Sequence, residues 1–342
     1  MKKIISILLS LVIMASLVSG VMAEEKTYDI IYLTPSTASN FWTQVEVGIL
    51  QAKADLEKEL GIKINYSVVG PAEEQETEKY ITAFENAIAQ GPHAIVTATL
   101  SIDSTVPKIR EATEQGIVLN FVNCGMGVGD DGAHEEFYNQ FYYCSNDTIG
   151  ELAGQAFLAA MEKKEMPLDK GIIGINMNVE NEALDHRIQA FRDYITENAP
   201  ELKMTETYYN NNVVENSQTN AENIISSYGD ELIGMYSGNN ITADGVCNAV
   251  RGAGLKENFV SVGVDSDDIE IQALRDGFLD AMIVQNAFDQ GYKGMENAIL
   301  TLMNGKNPES KKQINCPPVI VTLENIDSEE ISFIMNPQLS VE

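Results

Sequence analysis

Residues 259–285, FVSVGVDSDDIEIQALRDGFLDAMIVQ, place a carboxylate and an amide at the ends of two neighbouring apolar runs. The run 259–264 leads straight into Asp265. A short helical pattern follows, and the run 281–284 ends on Gln285. Asn123 closes the run 117–122, and Asn239 lies one short loop beyond the run 232–236. In an open α/β sheet, ligands bind beyond the carboxyl ends of the strands. An ionised carboxylate accepts two or more hydrogen bonds, and an amide both donates and accepts. That mixture suits a ligand whose every hydroxyl is donor and acceptor at once. Taken singly, each residue reads equally as a turn former or helix cap. The joint pattern points to a binding pocket for a polyhydroxyl compound.

Two further positions extend the pattern. Phe41-Trp42 opens a helical segment just after an apolar run and the polar loop 34–40, and Trp42 is the one tryptophan of the chain. Adjacent helical residues point in different directions, so one ring is expected in the core and one toward a cleft, where it suits the C–H face of a sugar ring. Arg187 sits near the start of the helical segment 182–198. Its fork of donors can grip two ligand oxygens; a surface ion pair with Asp185 or Glu182 is the alternative.

Patterns for catalysis are missing: there is no G-x-S-x-G, no H-E-x-x-H and no Walker loop. No catalytic residue, metal ligand or cofactor is therefore assigned. Gly127-Val-Gly129-Asp-Asp-Gly132 matches the dinucleotide fingerprint by letter. Asp130 and Asp131 would set negative charge against a pyrophosphate, which argues against a nicotinamide cofactor. Three histidines and four cysteines (Cys124, Cys144, Cys247, Cys316) fit no zinc spacing. The cysteines read as partly buried thiols or one disulfide. The acidic pairs Glu73-Glu74 and Asp267-Asp268 read as helix caps and solvated faces.

The elements that must carry these residues alternate. Short β-rich runs occur at 29–33, 62–69, 94–98, 117–122 and 141–144, and again at 171–176, 204–209, 232–236, 259–264 and 281–284. Between them lie helical patterns, such as Trp42, Val45, Ile49, Ala52, Leu56 and Leu60 on one stripe. Alternation of this kind predicts two parallel sheets with crossover helices on both faces, meeting near residues 145–150. A helix at 289–303 and a strand at 318–323 exceed what the second unit needs, and are expected to return to the first and cross back. The loop 125–140 is the least regular stretch.

The start of the chain resembles a secretory signal: Lys2 and Lys3, an apolar run 4–18, then Val21-Met22-Ala23 before Glu24. The run is short of the ~20 residues of a spanning helix, and no cysteine suited to lipid attachment lies at the cleavage point. Cleavage after Ala23 places the mature protein in the periplasm or another extracytoplasmic space. The 342-residue chain carries a net charge of −29, and losing two lysines takes it to about −31. A surface so acidic repels phosphate backbones, so no nucleic-acid partner is expected.

The ordered markers Ser39-Asn-Phe-Trp42, Ile117-Val-Leu-Asn-Phe-Val-Asn123, Ile149-Gly-Glu-Leu-Ala-Gly154, Arg187-Ile-Gln-Ala-Phe191, Ser237-Gly-Asn-Asn240, Val262-Gly-Val-Asp265, Ala281-Met-Ile-Val-Gln285 and Asp289-Gln-Gly-Tyr-Lys-Gly294 give the chain its likeness. It resembles the type I periplasmic sugar-binding proteins, and their ribose-binding branch above all. The resemblance implies two Rossmann-like lobes joined by a multi-strand hinge. The first is expected at 24–144 plus 286–317, the second at 145–285 plus 318–342. It implies that Phe41 and Trp42 sandwich one face of a monosaccharide, that Asn123 bonds hydroxyls from the first lobe, that Arg187, Asn239 and Asp265 close from the second, and that Gln285 sits at the hinge. It implies a monomer that hands its sugar to an ABC transporter permease, or presents it to a chemoreceptor or histidine kinase. Asn123-Cys124 stands where the ribose branch has Asp-Arg, and Ser39 where it has asparagine. The loop 125–140 is longer than in that branch, and the second aromatic face, often supplied near 211–214, is lacking there, with Tyr208 and Tyr209 close by.

Overall fold

A computed structural model describes residues 26–126, 134–180 and 182–340. The signal segment 1–23 and the glycines 127–132 lie outside the described residues. The chain begins with β1 (Thr27–Leu33), α1 (Asn40–Leu60), β2 (Lys63–Val69), α2 (Thr77–Ala89), β3 (Ala94–Thr97), α3 (Ile102–Glu114), β4 (Val118–Val122) and β5 (Gln140–Tyr143). It continues with α4 (Asn146–Lys163), β6 (Ile172–Met177), α5 (Glu182–Asn198), β7 (Lys203–Tyr209), α6 (Val214–Tyr228), β8 (Leu232–Ser237), α7 (Asn240–Ala253), β9 (Val260–Val264), α8 (Asp268–Asp276) and β10 (Ala281–Val284). The last elements are α9 (Ala287–Asn304), β11 (Gln313–Asn315), β12 (Val319–Val321) and α10 (Glu329–Met335).

These strands form two six-stranded sheets, ordered β11-β5-β4-β3-β1-β2 and β12-β10-β9-β8-β6-β7. The first is parallel throughout. The second is parallel except where β12 runs antiparallel to β10. The chain passes from sheet to sheet three times: between β5 and α4, between β10 and α9, and between β11 and β12. At the first and third crossings the strands stay tied, since Cys316 N–H donates to Tyr143 O at 2.6 Å and Ser145 N–H to Asn315 Oδ1 at 3.1 Å. The short strand β11 and the helix α10 were not foreseen. Three and seven residues are too few for a periodic pattern to stand out.

Each sheet is covered on both faces. In the first, Tyr28, Ile30 and Tyr32 pack with the stripe Trp42, Val45, Ile49 and Ala52 of α1 and with Met295 and Ala298 of α9. The opposite face packs Ile31, Leu33 and Phe121 with Tyr80, Phe84 and Ile109. In the second sheet, Ile173, Ile175 and Val262 meet Ala153 and Phe157 of α4 and Phe191 of α5, while α7, α8 and α10 cover the reverse side. Complete burial on both faces explains why the central strands read as unbroken apolar runs.

Candidate functional site

The two sheets point the carboxyl ends of their strands at a shared cleft. Asn123, just past β4, and Asp265, just past β9, both adopt the left-handed backbone region, at φ 60° and 79°. Non-glycine residues rarely do so, and such strain gathers at binding sites. The left-handed turn lets each strand break off sharply. Asp265 N–H still bonds Ile283 O at 2.9 Å, and Asn123 N–H bonds Tyr142 O at 2.8 Å, so the last rungs of both sheets reach these residues.

A hydrogen-bonded chain then spans the crossing strands. Asn123 Nδ2 donates to Gln285 Oε1 at 2.8 Å, and Gln285 Nε2 donates to Asp265 Oδ1 at 2.9 Å. Gln285 thus orients one side chain from each sheet. Burial raises the Asp265 carboxyl above its ordinary range; the Arg187 guanidinium and the Gln285 bond oppose the rise without cancelling it.

Arg187 is buried, and its position follows from the packing of α4 against α5. A side chain at Gly150 would meet Arg187 O at 2.1 Å, so only glycine allows this approach. Asn146, the first residue of α4, accepts from Arg187 Nε at 3.0 Å, and Gly238 O accepts from its Nη1 at 2.6 Å. The ion pair with Asp185 is not formed. Asp185 instead accepts from Tyr209 Oη at 3.1 Å. Asn239 is the N-cap of α7: its Oδ1 accepts from Thr242 N–H at 3.0 Å, and its Nδ2 donates to Asn212 Oδ1 at 3.1 Å.

The rings of Phe41 and Trp42 meet edge to face at 4.9 Å. They divide as adjacent helical residues must. Trp42 is 4% exposed and packs in the core, donating its indole N–H to Glu74 Oε1 at 2.6 Å. Phe41 faces the cleft. A small cavity of about 10 Å³ lies there, lined by Asn40, Phe41 and Gln44 from α1 and by Asn240, Asp265, Ser266, Asp267, Val284 and Gln285 opposite. Such a volume holds roughly one water molecule. Of the residues expected at the site, Phe41, Asp265 and Gln285 line this cavity. Asn123 joins them through Gln285. Arg187 and Asn239 stand behind the second wall, and Trp42 behind the first. A broader depression along the outer face of α4 and α5 is lined by none of these residues.

Sequence reasoning missed Asn40, Gln44, Asn240 and Asp267 as cleft residues, having read Asp267 and Glu74 as helix caps or solvated faces. Asp267 is indeed the N-cap of α8, but it also lines the cleft, and Glu74 is bonded to the Trp42 indole. Asn40 Nδ2 donates to Asp267 Oδ1 at 3.1 Å from the opposite wall, and Asn240 Nδ2 donates to Oδ2 at 3.0 Å. Burial raises the Asp267 and Glu74 carboxyls above their usual range. Gln75 Nε2 also crosses, donating to Asn212 O at 3.2 Å. Behind the second wall lie Asp244 and Glu270, both buried, each with one oxygen lacking a hydrogen-bond partner among the described residues. Burial is the main cause that lifts Asp244 to about 7 and holds Glu270 well above its ordinary range.

Comparison with known proteins gives this architecture its relatives. A D-ribose/D-allose-binding protein of Pseudomonas aeruginosa is 26% identical over 290 residues, spanning 84% of this chain and 86% of that protein. The solved structure of an ABC transporter solute binding protein from Agrobacterium vitis with bound D-fucose is 27% identical. It superposes with a TM-score of 0.76 and covers 89% of this chain and 98% of that one. A carbohydrate transporter solute binding protein from Agrobacterium radiobacter, in complex with D-arabinose, shares the fold at a TM-score of 0.77 and 24% identity, covering 92% and 100% of the two chains. The model of the periplasmic binding protein domain matches residues 30–307, and the chain belongs to that family.

Proposed function

We propose that this protein is an exported solute-binding protein that captures a monosaccharide in the cleft between its sheets and delivers it to an ABC transporter permease. The observation that carries the reading is the chain Asn123–Gln285–Asp265, which sets an amide, an amide and a carboxylate at adjoining strand ends. Relatives crystallised with sugars support it. The lobes are residues 24–144 plus 286–317 and residues 145–285 plus 318–342, with residues 1–23 removed on export. Phe41 supplies an apolar face to the sugar ring, with Trp42 packed behind it. Asn123, Asp265 and Gln285 pair with hydroxyls, and Arg187 and Asn239 support them from the second lobe. The small cavity requires the lobes to part before a sugar enters, a hinge motion about the three crossings. Affinity comes from desolvated and fully paired hydroxyls, and a site built for a hydroxyl rejects analogues lacking it. No reaction is assigned.

The test is a thermal-shift screen of residues 24–342 against monosaccharides, sugar alcohols, nucleosides and nicotinamide cofactors. A ligand at 100 times its dissociation constant stabilises by about 2.7 kcal/mol. A monosaccharide hit that vanishes in both Asp265→Ala and Arg187→Ala supports the reading. A shift with a nucleoside or cofactor and with no sugar overturns it.

A further inference from the structure

The cavity wall is unbalanced in charge. Its nine lining residues include two carboxylates, Asp265 and Asp267, and no lysine, arginine or histidine. Arg187 acts on Asp265 from behind, with two of its donors already committed to Asn146 and Gly238. Among the described residues Asp267 has no cationic partner: as N-cap of α8 its side chain accepts from the Glu270 backbone N–H and from the neutral amides of Asn40 and Asn240. Glu270, whose Oε2 accepts from Asp267 N–H at 3.0 Å, adds a fully buried carboxyl with Oε1 unpartnered, and Asp244 adds another such oxygen. A carboxylate drawn out of water is stable only when paired.

The bond from Asn40 to Asp267 is also the one a ligand must break. Asn40 belongs to the first wall and Asp267 to the second, so parting them to admit a sugar-sized molecule removes that donor. The vacated Asp267 Oδ1 then faces the ligand, while Asn240 and the Glu270 N–H still bond the side chain. A hydroxyl can donate one hydrogen bond there, but only a cation also offsets the charge of the wall.

We propose that the preferred ligand is an amine-bearing monosaccharide or polyol whose ammonium group seats on Asp267, with Asp265 nearby. This rests on the sugar-capture reading and names its substrate class. Asp267 is thereby a specificity-determining residue that the likeness to sugar-binding proteins does not assign.

The experiment is calorimetric titration of residues 24–342 with matched pairs: glucose against glucosamine and N-acetylglucosamine, and galactose against its two counterparts, at neutral pH. An amine should bind about tenfold more tightly than its hydroxyl parent, as a charge-assisted bond implies, and its N-acetyl form should lose that advantage. Raising salt should weaken the amine and leave the parent unchanged. In Asp267→Asn the ratio of amine to parent affinity should fall to about one, whatever the change in the parent's own binding. The amine-against-parent comparison needs no variant, so it decides the amine preference if that substitution disturbs α8. Equal or tighter binding of the neutral parent overturns the amine preference and leaves sugar capture standing. Failure of these pairs, together with failure of every monosaccharide in the thermal-shift screen, overturns both.

Discussion

The two walls of the cleft are made differently. The first is the opening turn of one helix, α1, and presents a ring and two amides: Phe41, Asn40 and Gln44. The second is assembled from a strand end, a helix cap and a crossing strand, and presents Asp265, Asp267, Asn240 and Gln285. The first wall contributes shape and an apolar face with no net charge. The second contributes acidic groups, whose charged form burial disfavours and the amide donors support. A sugar has both characters, since its C–H faces are apolar and its rim is polar. On the proposed reading, the contrast divides recognition between the lobes, so that neither wall alone would hold the ligand and closure would be required.

The largest test of this division is Asp265→Ala. Deleting a half-buried carboxylate that Gln285 and Arg187 face should weaken sugar binding at least 100-fold, about 3 kcal/mol, by calorimetry. A loss under tenfold would make the charged wall dispensable.

The second test uses pH, because one wall titrates and the other does not. Asp244 on α7 is lifted to about 7, first by burial and then by Asp267 and Asp268. Its folded value lies above the ordinary aspartate value near 4. Between roughly pH 4 and 7 the folded protein therefore retains a proton that the unfolded chain has lost, and stability falls as pH rises through that window. Asp265, Asp267 and Glu270 are shifted in the same direction and act in the same sense. Glu57, held low by Lys53 and the Ile64 N–H against its own burial, acts oppositely and at more acid pH. The unfolding midpoint of the unliganded protein should be about 5 °C higher at pH 5.5 than at pH 8, roughly 2 kcal/mol. Asp244→Asn should flatten part of that slope. A midpoint that rises toward pH 8 would contradict the buried acids.

A smaller effect is expected at the first wall. Phe41→Ala removes the apolar face and should weaken binding about tenfold, near 1.5 kcal/mol, with the pH slope unchanged. The smallest belongs to Gln75→Ala. Its bond to Asn212 O joins the lobes at an exposed edge, and its loss should change the dissociation constant less than about threefold.

Much of the fold was legible in the residues. The stripe from Trp42 to Leu56 and the runs buried on both faces announce their elements by period alone. The strand-end polar groups were legible for the same reason, since a run that stops at Asp265 or Asn123 places that residue at the cleft. What could not be read is contact between distant segments. Asn40 and Asp267 lie 227 positions apart, and nothing local in either segment refers to the other. The actual partners of Arg187 were not foreseen because sequence shows only near neighbours such as Asp185, while Asn146 and Gly238 are 41 and 51 positions away. Glu74 looked solvated for the same reason: only folding brings the Trp42 indole to it.

The left-handed backbone at Asn123 and Asp265 restricts how this pocket can be altered. That region is tolerated by asparagine, aspartate, histidine and glycine, and is costly for β-branched or bulky residues. The vocabulary available at these two positions is therefore about four letters, whatever sugar is to be read. At Asn40 and Phe41, on ordinary helical backbone, nearly the whole alphabet is open. A library built to change ligand choice would vary the helix broadly and the strand ends sparingly, and natural divergence meets the same constraint.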